Sequence, residues 1–281
     1  MRNLSETESL STIPQKPTAN TVISLFTGAG GLDLGLETAG FTNRLCVEID
    51  PDCLRTLKSN RPNWKQASPG NILDINPSDI LKQASLSLGQ VSLLAGGPPC
   101  QPFSKSGYWA KGDSARLNDP RAKTIIAYMD IVQAVLPQVI LLENVKGLAF
   151  GGKDEAWKLL QQKFALINRA HGTNYSPKLI HLNAASYGVP QLRERVFVIA
   201  QRDGAEFVLP APTHAHNKDI KNDPSLKPYT TVWDAIGDLD ISSWPEDLCL
   251  SGKWAALLPS IPEGQNYLWH TPKGGGVPLF G

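Results

Sequence analysis

The chain has 281 residues, 41% of them hydrophobic, with 27 basic against 26 acidic side chains and a formal net charge of +1. That length supports one large domain or two unequal ones, and the balanced charge excludes a global basic field, so any nucleic-acid partner is held by a local patch. Four cysteines (Cys46, Cys53, Cys100, Cys249) show neither a disulfide framework nor metal-ligand spacing, and no apolar run approaches the ~20 residues of a membrane span, so a cytoplasmic protein without metal or membrane attachment is expected.

Residues 1–20 are Ser/Thr/Pro-rich, lack the apolar stretch of a signal peptide and read as a flexible tail. From Thr21, short β-branched or Leu-rich runs alternate with amphipathic segments, the signature of βαβ units. The pattern predicts a strand over Val22–Phe26, a helix over Gly31–Ala39 stopped by Gly40, and a strand over Leu45–Ile49. Asp50-Pro51 then offers an N-cap with proline at the first helical position. Further on, the pattern predicts helices over Ser78–Ala84, Lys123–Val135 and Asp154–Arg169, and strands over Val91–Ala95, Val139–Leu142 and Val196–Ala200. Beyond about Glu206 the sequence turns to Pro, Trp, Gly and Asn with no clean period. The expected organisation is a tail (1–20), an α/β domain with a doubly wound, mostly parallel sheet (21–205) and a partial irregular second domain (206–281).

Three segments carry chemistry. Gly96-Gly97-Pro98-Pro99-Cys100-Gln101-Pro102-Phe103-Ser104 follows directly on a predicted strand. Two prolines before Cys100 and one after Gln101 fix the backbone around the thiol, and the carboxyl ends of parallel strands are where open α/β sheets keep their ligands. Cys100 therefore reads as a nucleophile, although a lone cysteine is more often a small buried hydrophobe. Phe26-Thr27-Gly28-Ala29-Gly30-Gly31 lies between a strand and a helix, and Glu48 stands twenty residues after Gly28. Glycines admit a ligand close to the backbone, and an acid at that distance is placed for ribose hydroxyls, which implies an adenosine ligand. Asp33 stands where a dinucleotide loop wants a small residue, which disfavours a nicotinamide enzyme. Glu143 closes an apolar strand at the same sheet edge as Cys100, placed to donate a proton. Arg193 and Arg195 alternate at the entrance of the last strand.

Taken together and in this order, these segments resemble the DNA cytosine carbon-5 methyltransferases. The likeness runs through the adenosine loop at 24–37, Gly96–Ser104, Glu143-Asn144-Val145, and Tyr187-Gly188-Val189-Pro190-Gln191 leading to Arg193 and Arg195, and covers about 21–200. It implies a fold that binds S-adenosylmethionine, with Phe26, Gly28, Ala29, Gly31, Glu48 and Ile49 cradling it and Pro98 beneath it. Asn71 and Ile72 stand where the family commonly has Asp-Ile, and an Asn carbonyl can still accept a hydrogen bond from the adenine amino group. The resemblance makes Cys100 the nucleophile toward cytosine carbon 6, Glu143 and Arg195 the grip on a flipped base in duplex DNA, and Arg193 the brace of the site. Gln101, Ser104, Lys105, Arg116 and Arg121 are the expected DNA contacts, in a loop whose five cations face only Asp113 and Asp119.

Two family segments after the recognition region, of Thr-x-Arg-Glu and Gly-Asn-x-Val-Pro type, have no counterpart here, so the resemblance implies the large piece of a split or truncated enzyme in a restriction-modification setting. A second polypeptide supplying those segments is the partner this expectation names. Two other readings stay open at this point. One is a tRNA cytosine-5 methyltransferase, disfavoured by the absence of a Cys-Phe-Thr signature; the other is a catalytically silent DNA- or partner-binding subunit.

Overall fold

The computed structural model describes residues 20–99, 123–145, 155–221, 223–240, 249–252 and 255–279. They fall into two compact units, the first reaching to Thr230 and the second spanning Thr231–Gly281. The first unit extends beyond the change in sequence character at Glu206 because the chain there turns back onto it. Thr213 N donates to Ser186 O, Lys227 N to Thr213 O, and the Tyr187 hydroxyl to Pro210 O.

The first unit is built on a six-stranded sheet. Its strands are β1 (Thr21–Leu25), β2 (Thr42–Val47), β3 (Leu93–Gly96), β4 (Val139–Asn144), β5 (Lys178–Asn183) and β6 (Glu194–Gln201), in the order β2-β1-β3-β4-β6-β5. The first four strands run parallel, and β6 lies antiparallel to both β4 and β5. The helices around the sheet are α1 (Gly31–Thr38), α2 (Pro51–Asn60), α3 (Asp79–Ala84), α4 (Lys123–Val135) and α5 (Glu155–His171), and a four-residue helix, Asn217–Ile220, follows later in the unit. This is the doubly wound, mostly parallel α/β architecture expected. The sequence gives no prediction of β5, whose Leu179, Ile180 and Leu182 are interrupted by His181.

Local chemistry sets the boundaries near the sheet's carboxyl edge. Asp50 caps α2 by accepting from Asp52 N and Cys53 N, with Pro51 at the first helical position. The loop before α1 ends in Gly30 at φ +92°, a conformation that glycine reaches without strain. One sheet face is sealed by α3, α4 and α5, which bring Ile80, Ile125, Met129, Leu160 and Phe164 against Ile23, Leu94, Ile140, Leu142 and Val198. On the other face, α1 lays Leu32 and Leu36 near Val22, Leu93 and Ala95, and Val139 and Leu141 stay only partly buried.

In the second unit, a short helix α6 (Val232–Ile236) starts in a reciprocal cap between Thr231 and Asp234. Within the same unit, buried His270 meets the Ser260 hydroxyl through Nε2 at 2.8 Å. No helix among the described residues is long and apolar enough to cross a membrane.

Candidate active site

The first wall of the site grows from the β1–α1 loop and the end of β2. Glu48 follows β2 directly, and its carboxylate is fixed by three backbone donors: Gly28 N to Oε2 at 2.6 Å, and Ile49 N and Asp50 N to Oε1 at 2.8 Å each. A carboxylate has about four lone-pair sites, so three fix its orientation and one remains for a ribose hydroxyl. Ile49 stands beside it at 65% exposure, an apolar side chain left open to cover an aromatic base. Gly70 lies so close to Glu48 that a Cβ there would collide with the Glu48 carbonyl oxygen, and this approach brings Asn71 alongside the acid. Asn71 Oδ1 accepts from Leu73 N at 3.2 Å while Nδ2 donates to Asp74, which leaves one carbonyl lone pair for an adenine amino group. Ile72 is buried in the core below. These donors and acceptors fit the adenosine half of S-adenosylmethionine.

The second wall comes from β4 and β6. These strands pair antiparallel, with Glu143 opposite Phe197, and this register brings Glu143 Oε1 within 2.8 Å of Arg195 Nε. Both side chains are about a quarter exposed, so the pair keeps polar edges open to a ligand. The next residue on β4, Asn144, is 1% exposed and donates through Nδ2 to the Pro98 carbonyl at 3.2 Å. Gly97 passes so near Glu143 that a Cβ there would sit 3.1 Å from Glu143 Oε2. The strand that carries the acid thus also clamps the turn leading to Cys100.

The β1–α1 loop and the second wall face one cavity of about 620 Å³, lined by Phe26, Thr27, Gly31 and Asp33 on one side and by Gly97, Glu143, Tyr187, Arg193 and Arg195 on the other, while Glu48, Ile49 and Asn71 stand outside its lining. That size suits a small-molecule site. Cys100, Gln101, Ser104, Lys105, Arg116 and Arg121 lie outside the described residues. The buried Cys46 thiol is pushed up to about 12, first by burial and then by nearby Asp33. Burial, followed by Glu48 and Asp50, also raises the Cys53 thiol. A raised thiol holds less of the nucleophilic thiolate, most clearly at Cys46. Leu182, Tyr187 and Phe197 also line the cavity, and sequence reasoning missed all three as site residues. Lys178–Asn183 has no strict polar–apolar alternation, because Leu179 and Ile180 are adjacent and His181 interrupts the run, so no short-range signal marks Leu182.

A carboxylate held by three backbone donors beside the β1–α1 loop, and a carboxylate–arginine pair at the cavity, both at the carboxyl edge of a mostly parallel sheet, fit an α/β protein that takes a nucleoside-type ligand. The family profile of the C-5 cytosine-specific DNA methylases matches residues 20–261, and the chain belongs to that family. Its members take a methyl group from S-adenosylmethionine and place it on carbon 5 of cytosine in DNA. The chain is 38% identical to the type II methyltransferase M.SacI of Streptomyces achromogenes over 91% of its own length and 67% of that protein. It is 36% identical to M.AquIA of Picosynechococcus over 82% of its own length and 92% of that shorter relative. Among solved structures, it resembles a prophage-encoded Escherichia coli protein assigned as a DNA modification methyltransferase. The TM-score is 0.58 and the identity 26%, covering 81% of this chain but only 56% of that one.

Proposed function

We propose that this chain carries the catalytic part of a type II DNA (cytosine-5-)-methyltransferase, acting through Cys100 on a base flipped out of duplex DNA. The observation that carries the reading is the Glu143–Arg195 pair, which faces Phe26 and Gly31 across the same cavity. S-adenosylmethionine, when bound, supplies an electrophilic methyl group. Cytosine carbon 5 is too weak a nucleophile to accept it, so the Cys100 thiolate adds to carbon 6 and makes the ring an enamine. Glu143 protonates ring nitrogen 3 and Arg195 contacts the carbonyl oxygen, relieving the negative charge that builds there. Once carbon 5 carries the methyl group, with S-adenosylhomocysteine as the other product, loss of the carbon 5 proton to a base, expulsion of the Cys100 thiolate and return of the nitrogen 3 proton to Glu143 give 5-methylcytosine. Gln101, Ser104 and the cations Lys105, Arg116 and Arg121 hold the phosphates around the gap left by the base. The type II names of the relatives favour a cytoplasmic restriction-modification setting, and the family match favours DNA over tRNA as substrate.

The half-covered sheet face supports a second part of the proposal. Val139, Leu141, Ile180, Leu182 and Phe197 are partly exposed, and α1 is the helix that packs on this face among the described residues. A helix from a further polypeptide or C-terminal extension would cover it and complete the cofactor wall. The test is covalent trapping. Random-sequence duplexes containing 5-fluorocytosine are incubated with cofactor and the chain, alone and with the product of the adjoining reading frame. The expected result is a denaturation-resistant adduct mapped by mass spectrometry to Cys100 and absent in Cys100→Ala. An adduct on Cys46, Cys53 or Cys249, or none while ordinary duplex is methylated, would overturn the mechanism.

A further inference from the structure

We propose that Asp33 is a positioning residue for the cofactor loop: it terminates a buried chain of hydrogen bonds, from Thr27 through Ser24, that holds Phe26–Gly30 in the bent backbone forming the cavity wall. The proposal rests on the assignment of that wall to S-adenosylmethionine.

The loop needs restraint. Phe26 has φ +55°, a left-handed value that a bulky residue adopts only when its surroundings impose it, and Gly28 and Gly30 follow at +57° and +92°. On the outer side, Glu48 takes the Gly28 N–H. On the inner side, Thr27 is buried, and its backbone N–H donates to Val47 O at 3.2 Å. Its hydroxyl lies 3.1 Å from Ser24 Oγ, the shortest of its three acceptor contacts, the others being the Ser24 and Val47 carbonyls. Ser24 in turn donates to Asp33 Oδ2 at 2.9 Å, and Asn43 Nδ2 donates to Oδ1 at 2.8 Å. Cys46 Sγ closes the network behind Asn43 at 3.4 Å.

Two of these donors, Ser24 Oγ and Asn43 Nδ2, meet at one carboxylate, which when ionised offers only acceptors, and the Thr27 hydroxyl and Cys46 thiol extend the chain behind them. The position itself is informative. Asp33 is 2% exposed and lies between Leu32 and Leu34 on the helix that follows the loop. Burial pushes its carboxyl up to about 6 against the pull of Ser24 and Asn43. A buried acid on a core-facing helix costs stability, and packing alone would favour an apolar residue. What the acid does there is tie β1, β2 and the start of α1 to the underside of a strained loop.

The test uses the full chain and two readouts. Hydrogen exchange of the free chain is measured for Asp33→Ala, Ser24→Ala, Thr27→Val and the conservative Asp33→Asn, together with cofactor affinity by calorimetry at pH 8. In the first three variants the amides of residues 26–30 should exchange about ten-fold faster, with β4 and α4 unchanged, and the cofactor Kd should rise roughly five- to ten-fold. Asp33→Asn, which keeps an acceptor oxygen, should stay within about three-fold of the parent. Thr27→Val combined with Asp33→Ala should be little worse than either alone, because both cut one chain. Parent-like exchange in Asp33→Ala, or multiplicative effects in the double variant, would overturn the proposal. If Asp33→Ala does not fold, Ser24→Ala decides, since it cuts the chain while leaving Asp33 paired with Asn43. A parent chain that binds no cofactor would overturn the functional reading instead, and the exchange data would still decide the role of Asp33.

Discussion

Along β4 the two faces of the sheet alternate residue by residue. Ile140, Leu142 and Asn144 are buried, whereas Val139, Leu141 and Glu143 are only half covered. The first set meets the layer formed by α3, α4 and α5; the second shares its face with α1 and the cavity. Because side chains along a strand alternate with period two, a single strand serves both. It sends one set into a closed core and turns the other, with its carboxylate, toward the cavity. Stability and chemistry are thus assigned to opposite faces of one sheet, and substitutions on the two should separate in what they damage.

The largest expected effect is on the closed face. Phe164 is 2% exposed and packs at 5.9 Å against Tyr175. Phe164→Ala should cost about 3–5 kcal/mol of stability, the range for emptying an aromatic core site, and leave the affinity of the folded fraction for cofactor unchanged. Urea unfolding followed by fluorescence measures the first and calorimetry the second. A large loss of affinity in the folded protein would show that the faces are not independent.

Next is the open face at the base end. In the proposed mechanism Arg195→Ala removes a donor from the position where charge develops on the ring, and losing such a donor costs about 2.7–4 kcal/mol in the reaction barrier. Methyl transfer to duplex DNA should fall accordingly while the unfolding midpoint moves little, since Arg195 pairs with Glu143 at the cavity edge and not in the core. A rate within a few-fold of the parent would remove Arg195 from the base grip. At the cofactor end of the same face, Glu48→Ala should weaken adenosylmethionine binding by about 1.5–3 kcal/mol, as for hydrogen bonds to a charged group. Unchanged affinity by calorimetry would show that Glu48 serves only to brace Gly28, Ile49 and Asp50.

How far the sequence foretells this division depends on the range of the interaction. The Glu48 position is legible because a strand–loop–helix–strand unit fixes the spacing from Gly28, and α4 is found at the predicted residues, Lys123–Val135. The predicted strand over Leu45–Ile49 is observed as Thr42–Val47, so Glu48 sits just past the strand end, where its carboxylate is free to fold back. The Glu143–Arg195 pair is not legible from local pattern, since it depends on the antiparallel register of β6 against β4 and no short-range signal sets strand direction. Asp33 reads in sequence only as a misfit to a dinucleotide loop. Its partners Ser24 and Asn43 are on separate strands, and only the folded sheet brings them together.

The smallest effect, and the one that sharpens the comparison most, is expected at Leu141. It points to the open face, half buried, beside Leu142, which is 1% exposed on the closed one. Fully burying a leucine side chain contributes about 1.5–3 kcal/mol, so Leu141→Ala should cost this chain about 1 kcal/mol, well below the Phe164→Ala loss. If a further polypeptide segment covers this face, the same substitution should become more expensive in the complex, approaching the 2–5 kcal/mol typical of emptied leucine sites. The measurement is urea unfolding of parent and Leu141→Ala, each alone and with the product of the adjoining reading frame. A loss already as large as that of Phe164→Ala in the isolated chain would mean that the face is closed without a partner. An equal small loss in both states would mean that the partner, if it binds, docks elsewhere and leaves this face open.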